Sequence, residues 1–313
     1  MSMLAPIVVF VYNRPEHTRK TLEALSANFL ASQSELFVFA DGARANATSN
    51  DLAKLEETRK VIREKDWCGK VTIIERTDNA GLAASITSGV SRIVNEFGKV
   101  IVLEDDIVTA PSFLAYMNNA LQVYENDEKV MHIAGFTFPW VEASKIEQET
   151  FFYRVPSCWG WATWARAWKH YNDDSKDLFI KLCETNRLSY FDFEYSGGFL
   201  GQLNANIVKS VRTWAVKWYA STLLQNGIAL HPSVSLVNNI GFDSTGENSN
   251  ATRLFDHKSL GNLDHVERQE LKENKYVAQR MTSAYRNTFG NRLRSFLANR
   301  VKNFVRLKYF AKG

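Results

Sequence analysis

Four short apolar runs, each followed by a polar cluster and then a helical stretch, narrow what this chain can fold into. The runs are Ile7-Val8-Val9-Phe10-Val11, Leu36-Phe37-Val38-Phe39-Ala40, Val71-Thr72-Ile73-Ile74 and Val100-Ile101-Val102-Leu103. Unbroken apolar runs of this length suit strands buried on both faces of a sheet. Between them, apolar residues recur at helical spacing: Leu22, Leu25 and Phe29 after Pro15, then Leu52, Leu55 and Ile62, then Leu82, Ile86, Val90, Ile93 and Phe97. Strands alternating with helices predict parallel pairing through right-handed crossovers. A helix begun by Pro111, with Phe113, Met117, Leu121 and Tyr124 inward, and a fifth strand from Val130 to Phe136 continue the pattern. The expected fold class is α/β: a mostly parallel, Rossmann-like sheet flanked by helices.

Parallel strands end at one edge of their sheet, which is where open α/β sheets bind ligands. Four polar clusters therefore meet there, although ninety residues separate the first from the last: Asn13-Arg14, Asp41-Gly42, Arg76 to Asn79, and Glu104-Asp105-Asp106. Three adjacent carboxylates repel one another unless a cation sits among them. The reading is a divalent metal held by the acids, with a phosphate on the metal. A hard cation with oxygen ligands, Mn²⁺ or Mg²⁺, suits a diphosphate and needs only one or two protein carboxylates. No Gly-rich fingerprint follows the first strand, so a standard dinucleotide site is not expected.

After residue 137 the pattern changes. Trp159, Trp161, Trp164 and Trp168 are half of the eight tryptophans, and the last three stand at i, i+3 and i+7, one face of a helix. Core packing is the ordinary use of such a face. Gly160 between two large rings implies a tight backbone at a cleft, where an indole can stack a sugar. A second aromatic stretch, Arg212 to Tyr219, carries Trp214 and Trp218. A strand enters after Gly227, and the polar stretch from Gly241 to Asn250 reads as a loop or lid. The six histidines form no metal-spaced cluster, and His231 reads as structural. Cys68, Cys158 and Cys183 show neither zinc spacing nor a disulfide framework.

Charge is unevenly distributed. Ten of the 38 bases follow Glu273, where no acid occurs, which leaves 28 bases against 34 acids before it. Leu293, Leu297, Val301, Phe304 and Leu307 form an apolar stripe between these bases, an amphipathic basic helix suited to an anionic membrane surface. No apolar run is long enough to span a bilayer, and the start lacks the basic region of a signal peptide. An acidic body without a recognition motif argues against nucleic acid.

Several motifs together resemble the GT-A glycosyltransferases of family 2: Tyr12-Asn13-Arg14-Pro15-Glu16, Ala40-Asp41-Gly42, Asn79-Ala80-Gly81-Leu82 and Leu103-Glu104-Asp105-Asp106. The Glu-Asp-Asp form also resembles N-acetylglucosaminyltransferase I. Cys158-Trp159-Gly160-Trp161-Ala162-Thr163-Trp164 and Asn239-Ile240-Gly241-Phe242-Asp243 look like a bacterial subgroup that builds surface polysaccharides. The resemblance covers roughly residues 5–250. It implies a GT-A domain with a nucleotide-sugar half (1–136) and an acceptor half (137–250), followed by a basic helical tail (251–313).

The resemblance also implies roles. Arg14 would lie near the base or diphosphate, Asp41 would bond the edge of the base, and Asn79 would sit in the loop over the nucleoside. Glu104 belongs to the donor motif, Asp105 would face the ribose or sugar, and Asp106 would ligate the metal. Trp159, Trp161, Arg212 and Trp214 are the acceptor candidates. The subgroup carries an Asp two residues before the first tryptophan of the later motif, where this chain has Arg212. The base that activates the acceptor hydroxyl is therefore sought among Asp243, Asp192 and Glu194, with Asp243 favoured by its Gly-flanked loop.

The expected activity is metal-dependent transfer of a sugar, from a UDP-sugar by preference, to a saccharide or lipid-linked acceptor in bacterial surface polysaccharide or lipopolysaccharide synthesis. The expected place is the cytoplasmic face of the inner membrane, held through residues 290–313. Two alternatives stand beside it. A sugar nucleotidyltransferase would need a Gly-rich triphosphate cradle in the first loop, and Tyr12-Asn13-Arg14-Pro15 is not one. A non-catalytic saccharide-binding or scaffold protein with the same fold draws support from Arg212.

Overall fold

The computed structural model describes residues 3–243, 252 and 254–288. In chain order the first half runs β1 (Ile7–Val11), α1 (Pro15–Ser26), β2 (Glu35–Ala40), α2 (Ser49–Val61), β3 (Lys70–Glu75), α3 (Leu82–Phe97), β4 (Lys99–Glu104), β5 (Ile107–Thr109), α4 (Phe113–Val123) and β6 (Val130–Ala134). The second half runs β7 (Thr150–Tyr153), β8 (Trp161–Trp164), α5 (Ala165–Trp168), α6 (Ser175–Glu184), α7 (Leu188–Phe191), α8 (Phe199–Ile207), α9 (Ala215–Leu224), β9 (Ile228–Pro232), β10 (Val237–Asn239) and α10 (Lys275–Thr288).

Eight strands form one sheet in the order β3-β2-β1-β4-β8-β6-β9-β7. The first four are mutually parallel, with Val8 beside Phe37 and Val102. β1 is buried at every position, as a strand covered on both faces must be. β8 and β7 run against the other six, and β8 enters between β4 and β6. The fold is the expected mixed α/β sheet flanked by helices.

Local signals account for the boundaries. Pro15 stands in the first turn of α1, where its missing N–H costs nothing. Thr48 and Asp51 close a capping box at the start of α2. α3 turns its buried face, including Ile86, Val90 and Ile93, onto the sheet and ends at left-handed Gly98.

Two expectations need correction. Phe29 is not on the inner face of α1: the helix ends at Ser26 and Phe29 is 59% exposed. The tryptophans do not share a helical face either. Trp161 and Trp164 are the ends of β8, so their side chains leave opposite faces of the sheet. Trp161 stacks on His132 and Trp214, while the Trp164 Nε1–H donates to the Leu121 carbonyl at 3.2 Å. Spacing by three fits both a helix and a strand that buries both faces.

Outside the main sheet, β5 pairs antiparallel with β10, with Ile107 opposite Asn239. This pairing carries residues 240–243 over the acidic corner.

Candidate functional site

The ends of β3, β2, β1 and β4 lie side by side in the sheet order, and their polar residues line one cavity of about 280 Å³. Going across the sheet edge, Asn79, Asp41, Arg14 and the acids Glu104-Asp105-Asp106 all border it, and beyond them come Trp159, ahead of β8, and Phe242. Apolar lining comes from Phe10, Phe39 and Leu82, with the rings of Phe10 and Phe39 stacked at 5.3 Å.

Asp41 and Asn79 build the loop at one end. Asp41 accepts from the backbone N–H groups of Ala80 and Gly81 at 2.9 Å each, and from Gly42 at 3.0 Å. Asn79 donates back to the Gly42 carbonyl at 2.9 Å. The two side chains clasp the strand ends after β2 and β3 to each other. Oδ1 takes two of these bonds and Oδ2 one, so Oδ2 keeps a lone pair for a ligand.

The acidic corner is held by backbone contacts from distant elements. Thr21 of α1 donates to the Asp105 carbonyl at 2.9 Å, and the Ile240 N–H donates to the Asp106 carbonyl at 2.9 Å. Gly241 lets the chain pass close to it: a Cβ there would lie 2.0 Å from Asp106 Oδ2. Arg14 sits in the middle, 2.8 Å from Asp106, 3.7 Å from Asp105 and 3.5 Å from Asp243. Burial raises the Glu104 carboxyl well above the usual carboxylate range, with Asp106 and Asp105 adding to the rise and Arg14 opposing it. Asp105 is pushed up to about 7 by burial and then by Asp106, against Arg14 and the Tyr12 backbone N–H. Glu104, Asp105, Asp106 and Asp243 gather around the single Arg14 guanidinium, so a bound cation would relieve their repulsion.

Among the described residues no three His, Cys, Asp or Glu side chains gather to hold a metal. A diphosphate metal does not need such a cluster, because one carboxylate and the phosphate oxygens can complete its shell. Asp106, pressed against the Gly241 backbone and already paired with a guanidinium, fits that role.

Asp243 is the base candidate that the fold brings to the corner. It is 42% exposed in its side chain and lies 3.0 Å from His17 Nε2. His17 was not singled out in the sequence. It stands one turn after Arg14 on α1, hydrogen-bonds the Ile240 backbone, and is kept below the ordinary histidine range by burial and then by Arg14. Its position three residues after Arg14 was the available signal.

The other base candidates are placed elsewhere. Asp192 is buried and accepts from Leu200 N–H at 3.1 Å at the start of α8, which makes it a helix cap. Glu194 pairs with Arg286 at the surface. Neither borders the cavity. Trp161 and Trp214 are 0% and 4% exposed and stack on each other at 5.2 Å, so they offer an acceptor no open ring face. Arg212 is exposed and outside the cavity lining. Trp159 does border it. Gly160 beside it adopts a φ of +61°, and a Cβ there would meet Val237 at 2.9 Å, so the tight backbone read from the sequence is present. Of the expected lid, Ser244 to Asn250 lie outside the described residues, as does the tail at 290–313. Among the described residues no helix is long and apolar enough to cross a membrane.

A family model described as the GNT-I family matches residues 1–174 of the 313. The chain belongs to the GNT-I family. No curated protein matches it. Among solved structures, a mannosyltransferase from Pyrobaculum calidifontis in complex with GDP-Man and Mn²⁺ is 12% identical at a TM-score of 0.40, covering 71% of this chain and 74% of that one. Residues 1–349 of S. aureus TarS are 11% identical at a TM-score of 0.40, covering 75% of this chain and 59% of that one. A longer S. aureus TarS structure is 14% identical at a TM-score of 0.29, covering 43% of this chain and 22% of that one. The chain therefore spans about a fifth of that longer relative.

Proposed function

We propose that this GNT-I family member moves a sugar from a nucleoside diphosphate sugar, a UDP-sugar by preference, to a saccharide or lipid-linked acceptor. The assembly of bacterial surface polysaccharide or lipopolysaccharide is the setting we favour. One observation carries the reading: Asn79, Asp41, Arg14 and Glu104-Asp105-Asp106, from four strand ends, line one cavity in the order a nucleoside, a diphosphate and a sugar would need.

The Asp41–Asn79 loop and the Phe10, Phe39 and Leu82 side chains would receive the nucleoside. Arg14 would move from the carboxylates to the diphosphate, where a planar guanidinium can bridge two oxygens. Asp106 would hold Mn²⁺ or Mg²⁺, which when bound offsets the charge on the departing diphosphate. Asp105, buried beside Arg14 in the turn between β4 and β5, would face the ribose or the donor sugar. Asp243 would take the proton of the acceptor hydroxyl as that oxygen bonds to the anomeric carbon. The bond from that carbon to the diphosphate breaks, and its electron pair leaves with the nucleoside diphosphate. His17 and Arg14 position Asp243 for this. In the cell the chain would work at the cytoplasmic face of the inner membrane, with the basic tail at 290–313 on anionic lipid; liposome binding that survives deletion of those residues would remove that part.

A panel of nucleoside diphosphate sugars with Mn²⁺, read by nucleoside diphosphate release, tests the activity. Release from at least one donor is expected, and release from none would overturn the reading. Asp243→Asn should lower turnover by roughly 10²–10⁴-fold with donor affinity unchanged. Unaltered turnover would remove Asp243 as the base.

A further inference from the structure

Transfer needs a second substrate at the far mouth of the cleft, and the donor residues leave it unrecognised. Past Trp159 the described residues present a run of aromatic rings. Trp159, Phe242 and Phe255 form one triangle, with centroids 5.3 Å, 5.3 Å and 5.1 Å apart. Phe255, Trp140 and Phe138 form a second, with Phe255 5.8 Å from Trp140 and Phe138 stacked on Trp140 at 4.9 Å. The two triangles share Phe255.

All five rings are half-buried, unlike the core tryptophans, and each keeps surface open to solvent. The rings are fixed from behind. Buried Phe136 packs edge-on against Trp159 at 4.5 Å and against Phe138 at 5.2 Å. Trp140 Nε1–H donates to Met281 Sδ at 3.2 Å, and Arg280 Nε–H donates to the Trp140 carbonyl at 2.9 Å. Trp159 and Phe242 also border the donor cavity, whereas Phe138, Trp140 and Phe255 do not, so the rings lead out of the cleft.

A cleft mouth lined by aromatic rings with a few polar groups suits a ligand. We propose that it is the acceptor subsite, a shelf that stacks at least two consecutive sugar rings of a saccharide acceptor. The inference rests on the glycosyl-transfer reading of the cleft. Pyranose rings offer one C–H-rich face to an aromatic ring and carry hydroxyls at their rims, so they suit rings with polar neighbours. Those neighbours are present. His257 packs against Phe136 at 5.3 Å, and its buried Nε2 has no hydrogen-bond partner among the described residues. Arg280 flanks Trp140. An alkyl chain would have no use for them.

The test is titration of the full chain, with UDP and Mn²⁺ present, by methyl glucoside, methyl galactoside, N-acetylglucosamine, lactose, cellobiose, chitobiose and decyl glucoside, followed by tryptophan fluorescence. At least one disaccharide should bind more tightly than its monosaccharide. Phe255→Leu and Trp140→Leu, which keep apolar volume but remove the ring, should weaken it at least tenfold and leave UDP affinity at the wild-type value. UDP binding without any saccharide binding would overturn the shelf and leave the donor reading standing. So would equal disaccharide affinity in the variants, or binding of decyl glucoside alone. Failure to bind UDP would instead sink the donor reading, and the shelf with it.

Discussion

The two halves of the sheet treat their chemically distinctive residues in opposite ways. In β1, β2 and β4 the strands bury apolar side chains and, with β3, deliver polar and charged groups to one edge. In β8 and the helices behind it, the distinctive residues are themselves the core: Trp161 and Trp218 are 0% exposed, and Trp168 and Trp214 are at most 5% exposed. The residues that look most like a carbohydrate platform in the sequence are therefore mostly packing. The rings left with open surface are Trp159 and a set of residues with no shared motif. The difference teaches that a strand end fixes where a side chain goes, whereas an aromatic-rich stretch does not.

Removing a ring from the packed half should cost the fold before it costs chemistry. Trp161→Ala should destabilise the protein by about 3–5 kcal/mol, the range for deleting a buried aromatic, read by urea unfolding. A loss of transfer at unchanged stability would place Trp161 back in a binding role and break the comparison.

The packed half should also set the acid limit of stability. His132 accepts from Trp218 Nε1–H at 3.2 Å and meets the Ser157 carbonyl at 2.8 Å. Burial lowers it to about 3, and lowers His231 to about 4. A group depressed on folding binds its proton first in the unfolded chain. Their contribution is therefore complete above about pH 6.5 and declines as pH falls toward 4. By linkage the loss is about 2 kcal/mol per histidine at pH 5. Glu104, Asp105 and Asp192, raised on folding, gain stability over the same range, so the histidine part is read from the imidazole proton shifts of the folded protein, which should stay flat from pH 7.5 to pH 5. Imidazole signals of His132 or His231 that titrate in that range would mean that these rings are not held neutral.

A smaller effect sharpens the division of labour among the acids. Asp192→Ala removes the cap on α8 and should cost about 1 kcal/mol of stability, with UDP affinity and turnover unchanged. A drop in turnover at constant stability would return Asp192 to the catalytic candidates.

What could be read in the sequence follows the same line. The first four strands and the convergence of Arg14, Asp41, Asn79 and Glu104-Asp105-Asp106 were legible, because a parallel sheet aligns strand ends whatever separates them in the chain. Asp243 was legible only as a loop acid. Its arrival at Asp106 depends on β10 pairing with β5, two three-residue strands with little signal. His17 was missed because its partner lies more than two hundred residues away. Trp161 and Trp164 were misplaced because three-residue spacing does not separate a helix from a strand buried on both faces. The cap at Asp192 needed the position of α8, which the sequence did not supply.

Asp106 is the point where protein and donor would meet through a cation. Calorimetric titration of UDP into the wild-type protein and Asp106→Ala, each with and without Mn²⁺, tests it. The prediction is metal-dependent binding in the wild type that is lost in Asp106→Ala at unchanged thermal stability. Equal UDP binding with and without metal, or in both proteins, would contradict it.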